Sequence, residues 1–198
     1  MNTKVGVLSL QGAFREHIEK IKKCGASAVE IKFPGQLEYI DGLIIPGGES
    51  TTIKKLLKEY KFREDLDKFY KSGEPIFGTC AGLVLISRNI EGEGKGMGYI
   101  NVDVRRNAYG RQIDSFEEMV SLNFNGVIDY KKFRAIFIRA PRILRTGSNV
   151  RIIAELNGEP VLVRFRNVMA GTFHPELTDD LRVHKYFLNM VKKFKGVD

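Results

Sequence analysis

Residues 75–86, PIFGTCAGLVLI, combine an apolar run, a turn that contains two glycines and a second apolar run. Cys80 lies at the turn, with Gly78 and Gly82 two residues to either side. A strand that turns sharply into a helix holds the residue at the turn in a strained, exposed conformation, and side chains two residues away would collide there. The helix that follows also favours a thiolate over a thiol. The stretch therefore predicts a nucleophile elbow, in which Cys80 is the nucleophile and the Ala81 N–H binds an oxyanion. A buried structural cysteine beside two loop glycines is the alternative.

The composition is that of one globular domain. Hydrophobic residues make up 43% of the 198 residues and charged residues 28%, which is enough for one full core and little for two. No apolar run approaches the ~20 residues that span a bilayer. The first residues lead directly into a strand pattern, and the two cysteines carry no sign of secretion. We therefore expect a single domain over residues 1–198, without a signal peptide, in the reducing cytoplasm.

The formal net charge of +8 raises the question of a nucleic-acid partner. The lysines, however, lie mostly on the polar faces of predicted helices, as they do in residues 20–23, 54–58 and 192–195. Aromatic residues do not alternate with them in the manner that stacks on bases. Solvated helix faces or a docking surface for a protein are the better interpretation, and we expect neither a nucleic acid nor a membrane as partner.

Strand and helix patterns alternate through the first half of the chain. Apolar strands are predicted at residues 4–10, 28–33 and 41–46 and before Cys80, with helices at residues 13–24, 50–60 and 62–70. Ser50 or a neighbouring threonine is the expected N-cap of the second helix. Short links between alternating elements indicate a parallel sheet with helices on both faces. Ligands bind beyond the carboxyl ends of such strands, so the Gly47-Gly48 loop and Cys80 converge if their strands are neighbours.

The second half of the chain has a different pattern. Residues 91–98 are glycine-rich and fit no phosphate-binding loop, so we expect a flexible loop there. Short alternating segments at residues 99–106, 116–124, 134–138, 150–156 and 160–166 predict antiparallel strands added to the later half of the sheet. A strand at 167–173 and a helix at 181–194 complete the chain. The predicted fold class is α/β, three-layered, with a mostly parallel central sheet, helices on both faces and added antiparallel strands.

A cysteine nucleophile needs a base, and the base needs an orienting group. Of the three histidines, His17 falls near the polar face of the first helix and His184 in the last helix, while His174 ends a strand. Glu176 points the same way as His174 in an extended segment, so it can fix the imidazole tautomer while the other ring nitrogen faces Cys80. A surface histidine beside a solvated glutamate is the alternative. The spacing of cysteines and histidines does not predict a metal site.

A second oxyanion donor is expected from a separate loop. Gly47-Gly48 suits this role because glycine lets a backbone N–H approach a ligand closely. A plain tight turn after a strand is the alternative.

Several motifs carry a family resemblance. The segments GTCAG at 78–82, PGGES at 46–50 and FHPE at 173–176 together resemble class I, triad-type glutamine amidotransferases. More narrowly, LQGAFREH at 10–17, GESTT at 48–52, RNAYGRQ at 106–112 and FIRAP at 137–141 resemble the glutaminase subunit of pyridoxal 5'-phosphate synthase. The resemblance extends over nearly the whole chain.

The resemblance implies a reaction. Cys80 attacks the side-chain amide of L-glutamine, His174 transfers the proton, Glu176 orients His174, and the N–H groups of Gly48 and Ala81 hold the oxyanion. No metal or organic cofactor is implied. The implied substrate-binding set consists of Gly47, Gly48, Glu49, Ser50, Arg106, Ile138 and Arg139. The two arginines are also candidates on chemistry alone, because the α-carboxylate needs a cation; surface charges at strand ends are the alternative.

The resemblance also implies a partner, a synthase subunit similar to a β/α barrel that uses the ammonia to assemble pyridoxal phosphate. Residues 11–17 are the expected docking surface, with Gln11, Arg15 and His17 at the interface. If docking orders the Gly47-Gly48 loop, the isolated glutaminase is weak. The alternatives are a glutaminase of another pathway, a γ-glutamyl hydrolase and a catalytically silent binding module.

Overall fold

The computed structural model describes residues 3–108, 115–124 and 127–196, so residues 109–112 of the RNAYGRQ segment lie outside the described residues. The helices are α1 (Phe14–Lys23), α2 (Ser50–Glu59), α3 (Arg63–Lys71), α4 (Ala81–Ile86) and α5 (Arg182–Lys195), with 3-10 turns at Pro34–Tyr39 and Pro175–Leu177. The strands are β1 (Lys4–Leu8), β2 (Ser27–Ile31), β3 (Gly42–Ile45), β4 (Ile76–Thr79), β5 (Ser87–Ile90), β6 (Gly94–Lys95), β7 (Ile100–Arg105), β8 (Ser115–Phe124), β9 (Val127–Ile138), β10 (Arg142–Thr146), β11 (Arg151–Leu156), β12 (Glu159–Phe165) and β13 (Val168–Gly171).

A seven-stranded sheet forms the centre, in the order β11-β12-β13-β4-β3-β1-β2. Its strands from β13 to β2 are parallel to one another, whereas β12 is antiparallel to both of its neighbours. The predicted fold class is therefore confirmed. Because β3 and β4 are neighbours, the loops that follow them leave the same edge of the sheet side by side. We call this the catalytic edge.

Helices cover both faces of the sheet because the strands are apolar on both sides. Along β3, Leu43 and Ile45 join one core cluster with α2, α3 and α4, while Ile44 joins a second cluster with α1 and α5. This alternation follows from the two-residue period of a strand. Among the described residues, no helix is long and apolar enough to cross a membrane.

The later strands do not all join the central sheet, contrary to the sequence-based expectation. Of the strands after α4, only β11, β12 and β13 do so; β10, β7, β5 and β6 form a four-stranded sheet, and β8 and β9 form a two-stranded one. Strands β5, β6 and β10 were not predicted, and β6 lies inside the segment expected to be a flexible loop. An alternating pattern shows which face of a strand is buried but does not specify its partner strand, which explains the error.

Helix α2 is capped by Glu49 and not by Ser50 or a threonine, which corrects the predicted cap. The Glu49 carboxylate accepts the N–H groups of Thr51 at 3.2 Å and Thr52 at 2.7 Å. Hydrogen bonds from the Thr51 side chain first, and then from Thr52, outweigh partial desolvation and lower the pKa of Glu49 to about 2. The carboxylate thus stays charged beside the catalytic edge at neutral pH.

Candidate active site

Strand β4, Cys80 and helix α4 have the geometry of a nucleophile elbow. Cys80 has φ 48° and ψ −105°, a backbone conformation that L-residues rarely adopt. Its N–H donates to the Gly171 carbonyl at 2.8 Å, which holds the strained turn against β13. A Cβ on Gly82 would lie 2.0 Å from the Ile45 carbonyl oxygen, and one on Gly78 would lie 2.8 Å from the Gly82 carbonyl carbon. Only glycine fits at these two positions.

His174 and Glu176 form a buried pair next to Cys80. Nδ1 of His174 lies 2.7 Å from Oε1 of Glu176, and the two residues are 7% and 2% exposed. The His174 N–H donates to the Ile136 carbonyl at 2.8 Å, so strand β9 fixes its backbone. A Cβ on Gly47 would lie 2.4 Å from Cε1 of His174 and 3.2 Å from Cβ of Cys80. The missing side chain of Gly47 is therefore what allows imidazole and thiol to meet.

The pKa values of the pair fit a charged resting state. Burial opposes protonation of His174, but hydrogen bonds and charge interactions with Cys80 and Glu176 outweigh it and raise the pKa of the imidazole to about 10. Burial likewise opposes ionisation of Glu176, but neighbouring His17 and His174 lower the pKa of the carboxyl. An imidazolium between the Cys80 sulfur and a carboxylate is placed to give up its proton to a leaving group.

The Gly47-Gly48 loop is held by residues 11–13. The Gly47 carbonyl accepts the Ala13 N–H at 3.0 Å, and the Glu49 N–H donates to Oε1 of Gln11 at 2.8 Å. A Cβ on Gly48 would lie 2.4 Å from the same Gln11 oxygen. Within the described ranges, the N–H groups of Gly48 and Ala81 have no acceptor. They can therefore bind an anion.

A cavity of about 240 Å³ opens above Cys80 and His174. Every residue that the resemblance implied for substrate binding lines it, namely Gly47, Gly48, Glu49, Ser50, Arg106, Ile138 and Arg139. Asn107 and Pro141 also line it and were not predicted. The cavity has the size and the mixed polarity that suit a free amino acid.

The two arginines of the cavity differ in their surroundings. Arg106 lies 2.9 Å from Glu93 and 3.8 Å from Glu49, so its charge is largely compensated. Arg139 is exposed at φ 43° and forms no ion pair with the residues that the structure describes. Of the two, Arg139 is the cation that an incoming carboxylate finds uncompensated. Among the residues that the structure describes, no three His, Cys, Asp or Glu side chains are arranged to hold a metal ion.

His17 is not at the surface, contrary to the sequence-based expectation. Arg15 is exposed, but His17 is 0% exposed and its ring lies between Thr79, Glu176 and His184. The physical reason is visible in the spacing, because position 17 lies three residues after Phe14 and four before Ile21 on the apolar stripe of α1. A docking role for His17 is therefore excluded in this conformation. The contribution of Thr79 to the site was not predicted, and only its place beside the nucleophile could have indicated it.

The fold and the elbow define the class as that of the class I glutamine amidotransferases. A family model for the SNO glutamine amidotransferase family matches residues 7–193. The chain belongs to that family. Pyridoxal 5'-phosphate synthase subunit PdxT of Thermotoga sp. (strain RQ2) is 50% identical over 96% of this chain and 100% of its own length. The PdxT subunit of Bacillus licheniformis is 48% identical over 96% of both chains. A crystal structure of a glutamine amidotransferase superimposes with a TM-score of 0.87 at 45% identity, covering 94% of this chain and 98% of the other.

Proposed function

We propose that this protein hydrolyses L-glutamine to L-glutamate and ammonia and delivers the ammonia to a synthase subunit that forms pyridoxal 5'-phosphate. The observation that carries the proposal is the row of Cys80, His174 and Glu176 beside two N–H groups that have no acceptor in the described residues. Membership of the SNO family and the name of the PdxT relatives support the substrate and the pathway. A free catalytic thiol also supports a cytoplasmic location.

In the first half-reaction, Sγ of Cys80 attacks the amide carbon of glutamine. The amide oxygen takes up the negative charge and is held by the N–H groups of Gly48 and Ala81. The C–N bond then breaks as the His174 imidazolium protonates the leaving nitrogen, which departs as ammonia. A glutamyl thioester remains on Cys80.

In the second half-reaction, the neutral imidazole of His174 takes a proton from water. The hydroxide attacks the thioester carbon, and the same two N–H groups hold the second oxyanion. The C–S bond breaks, glutamate leaves and the thiolate is restored. Glu176 keeps Nδ1 of His174 protonated throughout, so that Nε2 faces the reaction.

Two charged side chains of the cavity lining suit the two charges of the free amino acid. Arg139, whose charge is uncompensated within the described residues, is the proposed partner of the α-carboxylate. Glu49, which remains ionised because of the two threonine contacts, also lines the cavity and is the proposed partner of the α-ammonium. Ser50 and Ile138 line the same cavity.

Residues 11–15 are the proposed docking segment for the synthase subunit, which we expect to be a β/α barrel. Gln11 and Ala13 hold the loop that carries the Gly48 N–H, while Arg15 is exposed two residues further on. A partner that binds to this segment would directly affect the position of the oxyanion loop. We therefore expect the synthase subunit to raise the glutaminase rate.

The experiment is glutamate release from glutamine by the purified protein, with and without the synthase subunit. Stimulated release that Cys80→Ala abolishes and Cys24→Ala preserves would support the proposal. Equal rates in both conditions would remove the gating by the partner. Hydrolysis of γ-glutamyl peptides in preference to glutamine would indicate a γ-glutamyl hydrolase, and no hydrolysis in any condition would indicate a silent module.

A further inference from the structure

A chain of three buried imidazoles and one carboxylate extends inward from Cys80. Behind the His174–Glu176 pair, Nε2 of His17 lies 3.3 Å from Oε2 of Glu176. Nδ1 of His17 lies 3.0 Å from Nε2 of His184, on the last helix. Both of these rings, His17 and His184, are 0% exposed. The reaction sequence described above uses neither of them.

The protons of these rings can be assigned from their neighbours. Suppose that His17 carried its proton on Nδ1 and donated it to His184. Then the Nε2 lone pair would face the Glu176 carboxylate, and Nδ1–H of His184 would be a buried donor, since that atom has no partner in the described part of the chain. A buried donor without an acceptor is unfavourable. If His17 carries its proton on Nε2 instead, an N–H faces Glu176, and His184 carries its proton on Nε2 and donates it to His17. Only the unprotonated Nδ1 of His184 is then left without a partner in the described part of the chain.

We propose, on the basis of the glutaminase function above, that His17 and His184 are positioning residues for the catalytic pair. Nε2–H of His184 donates to Nδ1 of His17, which fixes His17 as its Nε2–H tautomer. That N–H donates to the Thr79 hydroxyl and lies 3.3 Å from Oε2 of Glu176, the oxygen that His174 leaves free. The carboxylate thereby has an imidazole N–H on each side, which favours the orientation that presents Oε1 to His174.

Thr79 joins this chain to the oxyanion loop. Its hydroxyl oxygen lies 3.1 Å from Nε2 of His17 and accepts the Gly47 N–H, also at 3.1 Å. The N–H of His17 is therefore hydrogen-bonded to Thr79, while its positive end lies beside the Glu176 carboxylate. One buried histidine thus supports the base through the carboxylate and the oxyanion donor through the hydroxyl.

The surroundings keep both rings neutral. Burial lowers the pKa of His17, against the pull of Glu176 and Glu16 and with the help of His174. Burial also lowers the pKa of His184, with contributions from His17 and Lys20. The charged and titratable groups that face the two rings are therefore Glu16, Glu176, His174 and Lys20. A neutral pair can hold one tautomer through the whole reaction.

The test compares His17→Gln with His17→Asn in the complex with the synthase subunit. The glutamine amide can place an N–H where Nε2 stands, whereas the asparagine amide reaches only the Nδ1 position. We expect His17→Asn to lower kcat on the order of tenfold with little change in KM, as is typical when an outer hydrogen bond that orients a functional group is lost. His17→Gln should restore most of that loss. Equal activity of the two variants would contradict the proposal.

The pH profile supplies a readout that packing alone would not move. Losing the N–H dipole 3.3 Å from Glu176 disfavours its carboxylate and raises its pKa, so the acid limb of kcat/KM should move to higher pH in His17→Asn but not in His17→Gln. Nitrogen NMR of the wild-type protein tests the tautomer without any variant. A proton on Nδ1 of His17 would overturn the assignment even if both variants failed to fold. Absence of glutamine hydrolysis in the wild-type complex would instead refute the proposed function and leave the tautomer measurable.

Discussion

Two regions of this molecule are rich in glycine for opposite reasons. At the catalytic edge, a Cβ on Gly47 or Gly82 would lie within 2.4 Å of a catalytic side chain or of backbone, so glycine is there to make room. In the turns around β6, three glycines have positive φ, and a Cβ added to any of them would meet no atom within 4 Å, namely Gly92, Gly94 and Gly98. There glycine supplies a conformation. The difference shows that glycine content alone does not distinguish a site from a surface turn.

The strongest test of the difference is Gly82→Ala. The new methyl group would collide with the Ile45 carbonyl at 2.0 Å, and neither backbone segment can withdraw without opening the sheet next to the elbow. We expect a loss of about 3–5 kcal/mol in the free energy of unfolding, as for severe overpacking with backbone strain. Urea unfolding followed by circular dichroism measures it. A stability within about 1 kcal/mol of wild type would show that the contact is not as rigid as described.

The next test is Gly47→Ala, which should affect activity more than stability. The methyl group would reach Cε1 of His174 and push the imidazole away from Cys80. We expect a fall in kcat on the order of a hundredfold, because small misplacements of catalytic groups have effects of that size. Gly35→Ala is the matched control, since Gly35 has an ordinary φ and nothing within 4 Å of its added Cβ. Steady-state glutaminase assays compare the two, and equal losses would contradict the role of Gly47.

A third test contrasts the ion pairs of the two regions. The folded-state pKa of His174 is about 10 against an ordinary 6.5, so its stabilising contribution is complete below about pH 6.5 and is lost as the pH rises towards 10. We expect a decline on the order of 2 kcal/mol across that window. The decline should shrink in Cys80→Ala, which removes one partner of the imidazolium. It should persist in Glu91→Gln, which removes the exposed Arg105–Glu91 pair. Unfolding curves from about pH 6 to about pH 10 supply the comparison.

The smallest effect is expected from Gly92→Ala. Nothing within 4 Å opposes the methyl group, and only φ +76° disfavours it. We expect a loss of about 1 kcal/mol in the free energy of unfolding, the usual cost of a left-handed backbone for an L-residue. Glutaminase activity should not change. A larger loss of stability in a thermal melt would show that Gly92 does more than supply a left-handed backbone conformation.

Sequence patterns predicted those parts of the molecule that depend on neighbours along the chain. The elbow follows from the spacing of Gly78, Cys80 and Gly82, and the contact of His174 with Glu176 involves residues two apart. The parallel sheet follows from alternation and short links. In each case the relevant geometry is fixed within a few residues.

The parts that escaped prediction depend on distant pairings or on unusual chemistry. His17 meets His184 across 167 positions, and no local pattern contains that contact. The cap of α2 was misassigned because Glu49 replaces the short polar side chains that usually cap helices. Most of the later strands were predicted, but the separate sheets that contain β7, β8 and β9 were not, because pairing is decided by the packing of the whole core.

Strand β9 sets the distance between nucleophile and base. Its Ile136 carbonyl receives the His174 N–H at 2.8 Å, and its Ile138 carbonyl lies 3.8 Å from Sγ of Cys80. The two carbonyls are therefore separated by two residues of extended backbone, about 6.6 Å, and this separation positions both catalytic residues. Because both carbonyls belong to one strand, their separation does not change when surrounding loops become more mobile on heating. The catalytic spacing should accordingly survive up to the temperature at which the β8–β9 pair itself melts.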